Sequence, residues 1–346
     1  MKKNNDTRVV FRADGSRDTG LGHIYRSLAL VDMLSSEFSC VFMINRPSFE
    51  LVHLIGSYCD LCALSFNSIN EEIEEITEKV LPTDIFVADG YDFEVKYQQV
   101  IKSKVKQLVM IDDKADHYYY ADLIINHGDA SMINKYKKEP YTKVLAGLNY
   151  AIMRKEFLVS ARTTRRISKV DTVFICMGGA DPFNITIKAV LAALKCDFIK
   201  SLIVVTGSAY ANKSQLKKTL QTYCGSKVIL HEENVSAVRL VELIRMSQIA
   251  IAPASSIAME ICCVKAGLLT GTVVDNQNAS HKQLTELGCC ISLGNFNTAS
   301  EDGIRGHLEQ LNLPSTVNEL MSNQSEAIDG LSGERLLNEF KQLAAC

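Results

Sequence analysis

Apolar runs of strand length alternate with stretches of helical period along most of this chain, and that order restricts its fold more than any other feature. Arg8 to Ala13 reads as a strand, about Gly22 to Ser36 as a helix and Cys40 to Ile44 as a strand, which together make a β-α-β unit. The alternation continues with a strand at Asp84 to Ala88, a helix over about Phe93 to Ser103, and strands at Gln107 to Ile111 and Asp122 to Asn126. It restarts after the basic run Arg162 to Arg166, with strands at Thr172 to Cys176, Leu202 to Thr206, Lys227 to Leu230 and Ile249 to Ala252. Strands separated by helices form parallel sheets. A chain of 346 residues has room for roughly two such domains. The expected fold class is α/β, with two Rossmann-like doubly wound domains facing a cleft. Residues 1–160 form the first and 168–330 the second, and a C-terminal helix over 331–346 can pack back on the first. Ligands of such sheets bind at the carboxyl ends of the strands, so the search for chemistry narrows to strand-to-helix turns.

Composition excludes several functions. Forty acidic and 37 basic residues leave a net charge of −3, and there is no tryptophan, so neither a nucleic-acid backbone nor an anionic membrane surface is an expected partner. Nowhere do about 18 apolar residues run uninterrupted, and no membrane span is expected. The start, MKKNNDTRVVFRADG, does not have the pattern of a signal peptide. Eleven cysteines, an odd number scattered through apolar stretches, fit reduced thiols serving as small hydrophobes, and point to the cytoplasm.

The first strand runs into Asp14-Gly15-Ser16-Arg17-Asp18-Thr19-Gly20-Leu21-Gly22-His23. Gly20 and Gly22 permit close backbone approach to a ligand, and the helix that starts there adds a partial positive charge, which suits a phosphate or a sugar. A dinucleotide fingerprint would need a small residue at Tyr25 and an acid where the second strand ends in Asn45 and Arg46, so NAD is not expected. A Walker lysine-serine pair is also missing. His23 falls in the first helical turn, where the positive end of the helix favours a neutral ring able to act as a base; capping the helix is the plainer alternative.

The second half repeats the device. Cys176-Met177-Gly178-Gly179-Ala180-Asp181-Pro182-Phe183-Asn184 joins a strand to a helix, with Asp181 expected as N-cap and Pro182 as the first helical residue. Later, Pro253-Ala254-Ser255-Ser256-Ile257-Ala258-Met259-Glu260 sets two hydroxyls beside free N–H groups, a seat for a diphosphate that needs no metal. Glu260 is one residue late for a capping box. Its carboxylate can accept a ribose diol or simply complement the helix dipole. Asp275-Asn276-Gln277-Asn278 can reach a sugar or serve as loop surface. Asp112-Asp113 ends a strand as a magnesium pair or, more plainly, as a turn.

These segments resemble the UDP-sugar hydrolases of pseudaminic acid biosynthesis, the PseG family, which are relatives of the MurG-type glycosyltransferases with a GT-B-like fold. The resemblance is carried in order by RADGSRDTGLGHIYR, MIDDK, GLNYAIMRKEF, FICMGGADPFN, ASSIAMEICCVKA and VDNQNAS. It implies removal of UDP from UDP-2,4-diacetamido-2,4,6-trideoxy-β-L-altropyranose by water, with inversion and without metal or other cofactor. His23 would activate the water, Glu260 would hold the ribose, and Ser255 and Ser256 would lie by the diphosphate. Asn276 would face the sugar, and Gly20, Gly22, Gly178 and Gly179 would line the bed. Arg154 and Asn184 match motif positions in the binding region, and Asp89-Gly90-Tyr91 sits where the family places an acid and an aromatic, here Tyr91, near the sugar. The alternatives are a glycosyltransferase or a hydrolysing UDP-GlcNAc 2-epimerase on the same fold, or a sugar-nucleotide binding protein that turns nothing over.

Overall fold

A computed structural model of the chain describes residues 7–15, 21–223 and 227–346. Two compact units emerge from it, Met1–Lys155 with Leu331–Cys346, and Glu156–Gly330.

The first unit contains β1 (Arg8–Ala13), α1 (Gly22–Leu34), β2 (Ser39–Asn45), α2 (Phe49–Gly56), β3 (Asp60–Leu64), α3 (Ile69–Lys79), β4 (Ile85–Asp89), α4 (Val95–Lys102), β5 (Gln107–Ile111), β6 (Tyr118–Tyr119), β7 (Leu123–Asn126), β8 (Lys137–Lys138) and β9 (Lys143–Ala146). After α5 (Lys155–Ala161), the second unit runs β10 (Thr172–Ile175), α6 (Ile185–Leu194), β11 (Ser201–Thr206), α7 (Lys213–Thr222), β12 (Val228–Glu233), α8 (Ala237–Met246), β13 (Ile249–Pro253), α9 (Ser256–Val264), β14 (Gly267–Thr272), α10 (Asn278–Glu286), β15 (Cys290–Asn295), α11 (Glu301–Gln310) and α12 (Pro314–Ala327). The last helix, α13 (Ser332–Ala345), returns to the first unit.

Both main sheets are parallel. The first has the order β3-β2-β1-β4-β5-β7-β9 and the second β12-β11-β10-β13-β14-β15. In each, the chain steps outward from a founding strand, then crosses back to its other side, so β1 lies beside β4 and β10 beside β13. Those two places are the topological switch points, where helices leave the sheet in opposite directions and a crevice opens at the carboxyl ends.

The strands are apolar on both faces because helices cover both. In β1, Val9 and Phe11 pack with Leu28 and Val31 of α1 and Leu336 and Phe340 of α13. Val10, between them, points the other way into a cluster with Ile76 of α3 and Tyr97 and Ile101 of α4. That is the signature of a buried parallel strand. Serine caps start several helices: the hydroxyls of Ser48, Ser68 and Ser236 accept from Leu51 N, Glu71 N and Arg239 N. Ser332 ties α13 down by donating its hydroxyl proton to the Ala151 carbonyl at 2.7 Å.

The basic run at 162–166 lies within the second unit. Arg165 donates to the carbonyls of Lys265 and Arg245, both at 2.7 Å, and Arg162 to that of Gly330 at 2.8 Å.

The start of α6 differs from expectation. The N-cap is Asn184, in the left-handed region at φ 54°, and Pro182 precedes the helix. Asp181 still serves the helix end, its carboxylate accepting from Ile185 N at 2.9 Å and Thr186 N at 2.8 Å. A three-residue turn is inserted between the capping side chain and the helix, so Asp181 satisfies the free N–H groups from a distance that a simple N-cap pattern does not anticipate.

Candidate active site

In the first unit, the crevice between β1 and β4 gathers charged side chains that are far apart in sequence. Gly22 opens α1 and is exposed; a Cβ there would meet nothing within 4 Å among the described residues, so none of their packing demands glycine. Gly20 lies outside the described residues. One residue later, His23 sets its Nδ1 2.7 Å from Oδ1 of Asp89, the last residue of β4. Ala13 pairs with Asp89 across the two strands, which explains why the helix following β1 meets that carboxylate.

Asp89 is almost fully buried, at 1% exposure. Burial pushes its pKa up, but the Arg26 guanidinium overcomes this and brings it down to about 2. Arg26 donates from Nε to Oδ2 at 2.9 Å and from Nη2 to Oδ1 at 2.5 Å, and Ser27 adds its hydroxyl at 3.2 Å. An ionised carboxylate has only lone pairs, so the hydrogen between Asp89 and His23 belongs to Nδ1. In the neutral ring with that tautomer, the lone pair lies on the other nitrogen, Nε2. The His23 side chain is one-quarter exposed, which gives that nitrogen access from outside the core.

Arg26 also binds the opposite side of the cluster. Its Nη1 donates to Asp113 Oδ2 at 2.7 Å and to His127 Nε2 at 3.0 Å. Burial raises the Asp113 pKa, but the Arg26 charge outweighs it and holds the carboxyl below its ordinary value. Tyr91, 42% exposed, stands edge-on to the His23 ring with centroids 4.9 Å apart, and Lys114 sits 3.8 Å above the Tyr91 ring. Burial, then the Asp113 charge, raise the Tyr91 phenol, so it remains a donor at neutral pH. Asp112 does not share this cluster: its carboxylate closes a turn by accepting from Lys114 N and Ala115 N. Among the described residues no group of three or more His, Cys, Asp or Glu is arranged to hold a metal ion.

The second unit's switch point carries neutral donors. Gly178 takes φ +85°, a conformation that strains any side chain, and its surroundings are open. Gly179 packs on Gly207, where a Cβ would come within 2.3 Å of the Gly179 carbonyl oxygen. Sequence reading passed over Gly207, whose need is visible only from this approach of two loops. Across the switch point, Ser255 is the N-cap of α9, yet its hydroxyl makes no capping hydrogen bond, and Ser256 is exposed in the first turn. Glu260, in the next turn, is 8% exposed. Asn276 is exposed in a short turn at 275–277. Asn184 spends its amide inside the protein, accepting from the Tyr210 hydroxyl at 2.5 Å and donating to Gln215 at 3.2 Å. Arg154, half-buried, follows the buried run Ala151-Ile152-Met153 in the first unit.

Against known proteins, the chain is 28% identical over 288 residues to the UDP-2,4-diacetamido-2,4,6-trideoxy-β-L-altropyranose hydrolase of Campylobacter jejuni, spanning 81% of this chain and 97% of that protein. The motif resemblance holds along most of the chain. It is also 21% identical over 285 residues, 82% of each protein, to the spore coat polysaccharide biosynthesis protein SpsG of Bacillus subtilis. Among solved structures, MurG of Acinetobacter baumannii matches with a TM-score of 0.69 at 10% identity, covering 97% of this chain and 99% of that one. The fold is therefore that of the MurG-type GT-B proteins. No protein-family model matches the chain.

Proposed function

We propose that this PseG-like protein is a metal-independent hydrolase that removes UDP from a UDP-linked 2,4-diacetamido-2,4,6-trideoxy sugar, the altropyranose above, in a cytoplasmic route to pseudaminic acid. The observation that carries the reading is the His23–Asp89 pair at the first switch point, a ring whose tautomer is set by a buried carboxylate. The similarity to the Campylobacter hydrolase over nearly its whole length supports the choice of reaction. Among the described residues, no helix is long and apolar enough to cross a membrane.

In the proposed reaction His23 Nε2 takes a proton from water while the water oxygen bonds to the anomeric carbon. The bond from that carbon to the diphosphate oxygen breaks, and its electron pair leaves with UDP. Attack and departure on opposite faces invert the centre. Asp89 stabilises the imidazolium that forms, as a carboxylate behind a catalytic histidine does. UDP leaves as a stable anion, so donors aimed at its charge can replace an acid. Ser255, Ser256 and the backbone at Gly178 and Gly179 take the diphosphate, and Glu260 takes the ribose diol. Gly22, Tyr91, Arg154 and Asn276 contact the sugar side, while Asn184 shapes the Gly178 turn.

The fold it shares with MurG favours one second reading, transfer of the sugar to an acceptor hydroxyl. Purified protein given the UDP-sugar alone separates the two. Prompt UDP release, with the inverted anomer appearing first by NMR, is the expected result. Release only after an acceptor is added would overturn hydrolysis.

A further inference from the structure

His127, just after β7, is a histidine that the proposed reaction does not use. It is 9% exposed and faces Arg26 and His23 of α1, Asp89 at the end of β4 and Asp113 after β5. Arg26 carries only hydrogens, so the 3.0 Å contact from Nη1 requires a lone pair on His127 Nε2. The remaining hydrogen then sits on Nδ1, which is buried and, among the described residues, without a hydrogen-bond partner. A buried unpaired N–H costs stability, and an apolar side chain would fill the space without that cost. What the imidazole supplies and an apolar residue cannot is an acceptor for Arg26.

That acceptor has a consequence at His23. Arg26 Nη2 lies 3.1 Å from His23 Nδ1, while Asp89 Oδ1 lies 2.7 Å from the same nitrogen. The two contacts demand opposite tautomers. Bonding to Asp89 puts the hydrogen on Nδ1 and frees Nε2; accepting from Arg26 puts the hydrogen on Nε2 and abolishes the base. The position of the guanidinium decides between them. With its two Nη1 hydrogens divided between Asp113 and His127, the guanidinium is pinned with Nε and Nη2 against Asp89. There Nη2 stands closer to Oδ1, at 2.5 Å, than to His23 Nδ1, at 3.1 Å, and leaves the 2.7 Å Nδ1–Oδ1 contact the shorter of the two on that ring nitrogen.

We propose that His127 is a positioning residue: as a neutral acceptor it holds Arg26 against Asp89 and so keeps His23 in the tautomer that can act as a base. The inference rests on the base role given to His23 above. Burial and the Arg26 charge keep the ring neutral at working pH, bringing its pKa down to about 4.

The test uses full-length His127→Phe, which keeps a ring but removes both nitrogens, and His127→Gln, whose amide oxygen can accept from Arg26. In ligand-free protein, long-range ¹H–¹⁵N NMR reads the His23 ring nitrogens, assigned with His23→Ala. Wild type is expected to show hydrogen on Nδ1, His127→Phe a mixture of tautomers, and His127→Gln the wild-type pattern. In kinetics, His127→Phe is expected to lose about tenfold in kcat with KM little changed, with His127→Gln recovering most of the loss. A folded His127→Phe with wild-type His23 nitrogens overturns the proposal, as does His127→Gln losing as much as His127→Phe. If His127→Phe does not fold, His127→Gln alone decides: wild-type His23 nitrogens support the proposal and shifted ones overturn it. If no UDP is released from the sugar nucleotide by any form, yet the nitrogens shift and recover as described, the hydrolase reading fails and the role of His127 stands.

Discussion

The two switch points of this protein share a topology and differ in chemistry. At the first, the crevice holds His23, Arg26, Asp89, Asp113 and His127, a network of charges tuned against one another. At the second, the turns present Gly178, Gly179, Ser255 and Ser256, which offer backbone and hydroxyl groups with little charge of their own. A proton is moved most readily by a group whose partners fix its state, which requires burying charges together. An anion is held well by dipoles already pointing at it, which requires only helix ends and small residues. The difference teaches that one architecture, used twice, can be divided into a reacting half and a holding half by the side chains placed at its strand ends.

Substitutions can break that contrast. His23→Ala should lower turnover by about 10²- to 10⁴-fold while leaving UDP affinity nearly intact, measured by UDP release and by calorimetric binding of UDP. A near-normal rate would remove His23 from the chemistry. Asp89→Asn keeps the shape but frees the tautomer and removes the charge that Arg26 faces. Turnover should fall by about 10²-fold or more, and thermal stability should fall too, because the buried Arg26 keeps only Asp113 of its two anions. The opposite pattern is expected in the second unit. Glu260→Gln should weaken UDP binding by about tenfold and leave kcat at saturating substrate close to wild type, since a charge-assisted contact to the ribose is lost and nothing at the reacting carbon changes.

The smallest effect sharpens the comparison through pH. The His127 pKa falls from 6.5 to about 4 on folding, so between those values the unfolded chain binds a proton that the folded one refuses. Stability from this group therefore declines as pH drops from 6.5 and is fully lost below 4. The Asp89 pKa is depressed from 3.8 to about 2, so its contribution persists above 3.8 and fades only as pH falls toward 2. Urea unfolding across pH 4 to 6.5 should show a shallower decline for His127→Phe than for wild type, and equal slopes would mean that the ring is already charged in the folded protein.

Much of the fold was legible because buried parallel strands must be apolar on both faces, and such runs stand out in a sequence. The strand at Gln107–Ile111 appears as read, and β1 and β10 begin where the pattern placed them. The helix start after Gly178 was misread because its cap acts through an intervening turn. In the candidate site, His23 was visible from its place beside glycines. Its partnerships were not: Asp89, 66 positions away, stood out only through the resemblance at Asp89-Gly90-Tyr91, and His127, 101 positions from Arg26, did not stand out at all. Nothing local ties either of them to His23. Asp113 looked like half of a paired acid, and only the fold separates it from Asp112, one answering a guanidinium and the other closing a turn.

The sequence by itself determined that strands alternate with helices in two halves of the chain, and which strand-to-helix turns carry glycine or serine. These are local matters of periodicity, capping and backbone freedom. Only the tertiary structure decided that β4 returns to lie beside β1, and hence that a carboxylate, a guanidinium and a second imidazole converge on His23. Local preferences act over a few residues, whereas the state of a titratable ring is set by whatever charges are folded against it in a medium that screens them poorly.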